Sequence, residues 1–134
     1  MNSVDIKFRF EWSECGEVRL DASGMLVFPR TSSSPGLYKF NFHSDAGSAV
    51  YIGETVQLDR RFQHYRTPGN SQKTNLRLNK DIREALNNGS TVTASILTEI
   101  DEAELMLSRK HDRVLLEHGA LLCARRDGAE VLNS

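Results

Sequence analysis

The sequence has little cysteine, no long apolar run and no excess of either charge. Each shortage removes a class of protein. Two cysteines, Cys15 and Cys123, stand 108 positions apart in a chain of 134 residues. They match no metal-ligand spacing, and two thiols in a reduced cytoplasm is the reading they support. The longest apolar run falls far short of the roughly 20 residues needed to cross a bilayer, so no membrane partner is expected. The amino terminus, MNSVDIKFRFEW, carries Asp5 and Glu11 and lacks the basic start and apolar core of a signal peptide. There is no internal repeat and no low-complexity tract. The net charge of −1, from 17 basic and 18 acidic residues, argues against nucleic-acid binding by bulk charge alone.

What is present is an ordinary balance for one small globular domain, with 39% hydrophobic and 26% charged residues. The charges are unevenly placed. Between Leu58 and Glu84 lie seven basic residues (Arg60, Arg61, Arg66, Lys73, Arg77, Lys80 and Arg83) against three acidic ones. Acid gathers instead at Glu99, Asp101, Glu102 and Glu104. Taken alone, the basic stretch reads as a solvated face.

The apolar pattern orders the elements. Residues 4–12 alternate like a strand, with Ile6, Phe8 and Phe10 on one side. Ser13 to Gly16 is expected to turn it and Val18 to Leu20 to return. Met25 to Phe28 is a further short apolar run, and Pro29 to Pro35 reads as a loop. A boundary is expected there, between a β-rich extension over 1–35 and a main domain over 36–134. Gly36 to His43 and Ser48 to Ile52 read as a hairpin turned at Ser44 to Gly47 and broken at Gly53. Val56 to Tyr65 turns helical, with Thr55 as its expected cap. A polar loop over 67–75 precedes a helix from Leu76 to Asn87, stopped at Asn88-Gly89. Thr91 to Leu97 is β-rich. Glu102 to Arg125 reads as a long helix, and Val131 to Asn133 is expected to dock on the sheet. The order predicts an α/β domain of the α+β type: a three-stranded antiparallel sheet flanked by helices.

Two tripeptides stand out on the predicted hairpin. Gly36-Leu37-Tyr38 lies on its first strand and Tyr51-Ile52-Gly53 closes its second, with thirteen positions between the tyrosines. Arg61 follows Tyr51 by ten positions, Glu117 sits on the last long helix, and Asn133 follows Glu117 by sixteen. This pattern resembles the GIY-YIG nuclease family, which includes homing endonucleases, some restriction enzymes and the amino-terminal domain of excinuclease C. The resemblance spans residues 36–133.

The resemblance implies a metal-dependent endonuclease acting on DNA. It implies that Tyr38 is the general base or proton relay and that Tyr51 helps position water and phosphate. By the same likeness Arg61 binds the scissile phosphate, Glu117 holds one divalent metal, Mg²⁺ or Mn²⁺, and Asn133 supports the site. Many members carry a histidine four residues after the arginine. Here that position is Tyr65, while His64 follows Arg60 by four. On a helix, one of the two pairs, Arg61/Tyr65 or Arg60/His64, faces the site squarely, and the spacing from Tyr51 favours the first.

The chemistry suits these residue types. A phenol has a free pKa of about 10 and is a poor base at neutral pH unless a neighbour shifts it. A guanidinium can hold two phosphate oxygens at once. Mg²⁺ takes one or two carboxylates and keeps several waters. Lys39 neighbours Tyr38 in sequence, but alternation sends it to the opposite face. His111 and His118, seven apart on the last helix, read as surface residues. Arg60, Arg66, Lys73, Arg77 and Lys80 would hold nucleic-acid backbone around the scissile phosphate, with the amides and hydroxyls of residues 68–75 reaching phosphates or base edges.

A second reading stays open. Tyr38 and Tyr51 can be ordinary amphipathic strand residues, Arg61 a solvated charge, and Glu117 the partner of Arg113 four residues earlier. The corresponding function is a catalytically inactive nucleic-acid-binding or protein-interaction module on the same fold. The sequence does not separate DNA from RNA as substrate. A homodimer or a partner protein would be one way to supply targeting.

Overall fold

Alternation of large apolar residues sets the central hairpin. In β4 (Gly36–Ser44) Tyr38, Phe40 and Phe42 face one way and Leu37 the other. In β5 (Gly47–Thr55) Tyr51 faces the first side, while Val50 and Ile52 face the second. The two strands pair antiparallel from Gly36 opposite Thr55 to Ser44 opposite Gly47. At the turn Ser44 Oγ accepts the Ala46 N–H at 3.2 Å, and Gly47 takes a φ of 136° that a larger residue rarely adopts. In this computed structural model the described residues are 3, 7, 9–70, 72–100 and 105–133.

The other side of β4 pairs antiparallel with β6 (Thr91–Leu97), which completes the expected three-stranded centre. Two further strands widen it to five, in the order β1-β6-β4-β5-β7. β1 (Ser13–Glu17) pairs antiparallel with β6 through an irregularity between Glu14 and Gly16. β7 (Glu130–Val131) pairs parallel with β5. A separate two-stranded ribbon joins β2 (Arg19–Leu20) to β3 (Leu26–Val27).

Helices close both faces. α1 (Leu58–Arg66) and α2 (Lys73–Asn87) cover the Tyr38 side, where Leu58, Phe62, Tyr65, Leu78 and Ile82 join one core. α3 (Lys110–Arg126) covers the other side with Leu116, Ala120 and Leu121. Val18 and Leu26 from the amino-terminal part are buried in the first core. Removing a large apolar side chain of this kind from water contributes roughly 1.5–3 kcal/mol.

Several local expectations are corrected. The turn expected at Ser13 to Gly16 is strand β1, because β6 offers an open edge there; the strand expected over 4–12 is absent at residues 9–12, and Ile6 and Phe8 lie outside the described residues. Gly53 does not break β5, which runs on to Thr55. The cap position of α1 is Gln57, and Thr55 Oγ1 instead accepts the Gln57 N–H at 3.2 Å. α2 starts at Lys73, so the loop is shorter than predicted. α3 starts at Lys110; Asp101, Glu102 and Glu104 lie outside the described residues.

Candidate active site

Four side chains meet where β4, β5 and α1 converge. Tyr38 and Tyr65 are almost wholly buried, at 1% and 0% exposure, and their hydroxyls share a short hydrogen bond. Arg61 Nε donates to Tyr38 Oη at 3.2 Å, and its guanidinium lies 5.1 Å from the centre of the Tyr65 ring. Tyr51 stacks against Tyr38 with ring centres 6.4 Å apart, and the Tyr65 oxygen is near enough to act on its hydroxyl. One turn of α1 separates Arg61 from Tyr65, so helical geometry places both on the sheet side. Arg60 is exposed and His64 is half-buried on a neighbouring face of α1.

Gly53 makes the assembly fit. It lies opposite Tyr38 across the hairpin, and a Cβ there would overlap the Tyr38 hydroxyl. The glycine that the alternating pattern reads as a breaker is therefore the space into which a phenol packs.

Electrostatics follow from the burial. Burial pushes the Tyr38 hydroxyl up to about 12, against the nearby Arg61 charge. Burial also raises Tyr51 and Tyr65, with the neighbouring tyrosine oxygens adding to the effect. Burial opposes the charge of Arg61, but the oxygens of Tyr38 and Tyr65 outweigh it and hold the guanidinium above its ordinary value. All three hydroxyls are thus protonated at neutral pH, and Arg61 is charged.

Glu117 comes from the opposite layer. α3 packs on the sheet face away from Tyr38, and Glu117 reaches the network round the outer edge of β5. That edge is closed in steps of two residues, because strand backbone groups alternate in direction. Leu132 N–H donates to Val50 O at 2.8 Å, where β7 begins its exit. The Asn133 side chain then acts as a surrogate peptide: Nδ2 donates to Ile52 O at 2.6 Å, and Oδ1 accepts Ile52 N–H at 3.1 Å. Glu117 lies next along this edge, where the Glu54 backbone N–H favours its charged form. Glu117 is half-buried, and burial, then the charge of Glu54, raises it above the usual carboxylate value, with His118 and Arg61 opposing. Its charge is felt in turn at the Tyr51 hydroxyl.

The alternative partner of Glu117 is otherwise engaged. Arg113 does not pair with Glu117; its Nε meets Glu54 Oε2 at 2.8 Å, and its Nη1 donates to Leu107 O at 3.0 Å. Arg113 is 5% exposed. Sequence reasoning missed this pair, and the signal was slight: an arginine four residues before Glu117 on the same helix stripe.

The remaining predicted contacts divide. Lys73, Arg77 and Lys80 are exposed on one stripe of α2, Lys80 with Glu84 Oε1 at 3.8 Å. Arg66 turns toward Asp21 Oδ2 at 3.8 Å. The polar loop is less free than its composition suggests: Gln72 Oε1 accepts from Gly69 N–H and Asn75 Nδ2, and Asn75 is buried. Ser71 lies outside the described residues. Lys39 sits on the far face, 4.6 Å from the Trp12 ring centre. His111 and His118 are exposed. Both cysteines are free thiols.

A divalent cation fits the donor set at Glu117. The carboxylate is half-buried beside a second one, Glu54, and a cation would offset the charge that burial penalises. Among the described residues there is no cluster of three or more histidine, cysteine, aspartate or glutamate side chains, so a cation here would rely on water and substrate oxygens for most of its shell. No helix among the described residues is long and apolar enough to cross a membrane.

In comparisons with known proteins, no protein family and no curated protein matches the chain. Among solved structures, a point mutant of bacteriophage T4 EndoII is similar over 63% of this chain at 25% identity, with a TM-score of 0.47. This chain spans 64% of that one, less than two thirds of its length.

Proposed function

We propose that the protein is a metal-dependent endonuclease that hydrolyses phosphodiester bonds in DNA, with Tyr38, Tyr51, Arg61, Tyr65 and Glu117 as its site. The observation that carries this reading is the joint one. A buried tyrosine network is bonded to a half-exposed arginine, and a carboxylate from the opposite layer is brought to the same edge of β5.

In the reaction a water oxygen bonds to phosphorus, the bond from phosphorus to the leaving sugar oxygen breaks, and that oxygen gains a proton. Arg61 keeps its Nε on Tyr38 and offers its remaining N–H donors to phosphate oxygens. Tyr38 holds its proton at neutral pH while its oxygen accepts from Arg61, so it serves as a proton relay and is not a standing phenolate. Tyr51, beside Glu117, orients the water. Asn133 fixes the β5 edge that carries Tyr51. Glu117 would hold Mg²⁺ or Mn²⁺, which would stabilise charge developing on the phosphate. His64, half-buried beside this face, is assigned no step.

The test is supercoiled plasmid with Mg²⁺, Mn²⁺ or EDTA, alongside Glu117→Gln and Arg61→Gln. Nicking is expected to stop with EDTA and to fall by roughly 10²–10⁴-fold in either variant. RNA and single-stranded DNA in parallel reveal the substrate. Binding without cleavage by the unaltered protein would favour the inactive binding module; cleavage indifferent to Glu117→Gln would remove the site.

A further inference from the structure

We propose that the cleft between residues 27–31 and the outer side of α1 is a nucleotide subsite, taking one base and its phosphate from a nucleic-acid strand. The inference deepens the nuclease reading and rests on it for the identity of the strand. The cleft has a volume of about 250 Å³. Sites for drug-sized ligands run roughly 300–1,000 Å³, so this one suits a single ring system and is too small for a folded peptide segment.

Its lining has two characters. Val27, Phe28 and Pro29 give it apolar walls, and Phe62, 3% exposed, closes its floor with its ring centre 5.6 Å from that of Phe28. Arg30, exposed, and Arg66 supply positive charge at the same opening, against the single carboxylate of Asp59. An apolar wall beside guanidinium groups is the combination that holds an unstacked base and its phosphate. An anion alone would gain nothing from the rings.

Arg66 carries the second observation. Its Nη2 makes a long ion pair with Asp21 at 3.8 Å, but its Nε is buried and has no hydrogen-bond partner among the described residues. Buried N–H groups are rarely left unmet. The exposed part of the same guanidinium lines the cleft, held only by the long Asp21 pair, and a phosphate or base oxygen there would give it a close partner.

The cleft lies across α1 from the candidate active site: Asp59, Gln63 and Arg66 line it on the side of the helix away from Arg61. The two are joined through the core, where Phe28 lies 6.4 Å from the buried Tyr65, ring centre to ring centre. A strand that leaves Arg61 and crosses α1 would bring a more distant nucleotide to this opening.

The test uses the full chain, isotopically labelled for amide NMR, in EDTA. The probes are 2′-deoxyadenosine 5′-monophosphate, inorganic phosphate, and a single-stranded deoxyadenosine hexamer with and without one abasic unit. The mononucleotide is expected to shift amides of residues 27–31 and 59–66 saturably and to bind at least tenfold tighter than phosphate. The hexamer is expected to bind at least tenfold tighter again and to lose that gain with the abasic unit. Arg66→Gln, and independently Gln63→Trp, which fills the cleft, should each weaken the mononucleotide tenfold or more with an unchanged circular dichroism spectrum. Phosphate binding as well as the mononucleotide, a hexamer no tighter than the mononucleotide, or both folded variants binding like the parent overturns the proposal. Plasmid nicking measured in parallel separates the two readings. Nicking with no mononucleotide shifts leaves the nuclease and removes the subsite, and the reverse result removes the nuclease and leaves the cleft occupied.

Discussion

Tyr38, Tyr51 and Tyr65 are the chain's three tyrosines, and all three belong to one buried network. Burial is the largest cause of each upward shift, so the folded protein keeps protons that the unfolded chain releases above the ordinary value of about 10. The sign follows from linkage: this contribution to stability is complete below pH 10 and is lost as pH rises through about 12, the value for Tyr38. A spectrophotometric titration reads nothing but this network. Phenolate absorbance should be absent from the native protein at pH 10 and should appear together with loss of near-ultraviolet circular dichroism. Ionisation of one tyrosine below pH 10 with the fold intact would place it outside the network. At this scale much was legible. The spacing of Arg61 and Tyr65 predicts a shared face of α1, and the structure places them so. The bond between Tyr38 and Tyr65 was not legible, since it joins a strand to a helix through a distance that no sequence period encodes.

Between elements, the outer edge of β5 decides how the two layers communicate. β7 covers it only as far as Val50, beyond that Asn133 takes over the backbone groups of Ile52, and Glu117 lies next along the edge beside Glu54. The hairpin, the two following helices and the third strand were readable because their periods are 2 and 3.6. The docking of Val131 to Asn133 on the sheet was readable too, and it takes place along β5. The bulged β1 was not, because edge pairing depends on which partner is free and not on local pattern. Arg113 was illegible for the same reason. Its partner Glu54 lies on a different element, and the side chains are 6% and 16% exposed. Breaking such a pair leaves a buried charge uncompensated, whereas replacing both by apolar groups restores a packed surface. Arg113→Met should therefore cost about 3–5 kcal/mol in urea unfolding, and Arg113→Met with Glu54→Leu should regain most of it. A single-variant loss under about 1 kcal/mol would show that water already reaches the pair.

For the whole molecule, the near-neutral charge means that under the proposed function nucleic acid would be held by a local surface. The cations nearest such a surface are exposed Arg60 on α1 and exposed Lys73, Arg77 and Lys80 on one stripe of α2, with half-exposed Arg61 at the site. Each phosphate contact releases counterions, so the logarithm of affinity falls with the logarithm of salt by about 0.9 per neutralised phosphate. Five such contacts predict a slope of about −4 to −5 for duplex DNA, measured by anisotropy in EDTA so that no cleavage intervenes. Glutamine at Lys73, Arg77 and Lys80 together should flatten that slope by roughly 3 while leaving sequence preference alone, because phosphate contacts position a strand without reading it. These three residues are exposed on a helix whose buried face is Asn75, Leu78 and Ile82, so the fold should survive the change. An unchanged slope would mean that DNA never lies along α2. The basic stripe would then be a solvated face, and binding would run through the α1 side and its cleft.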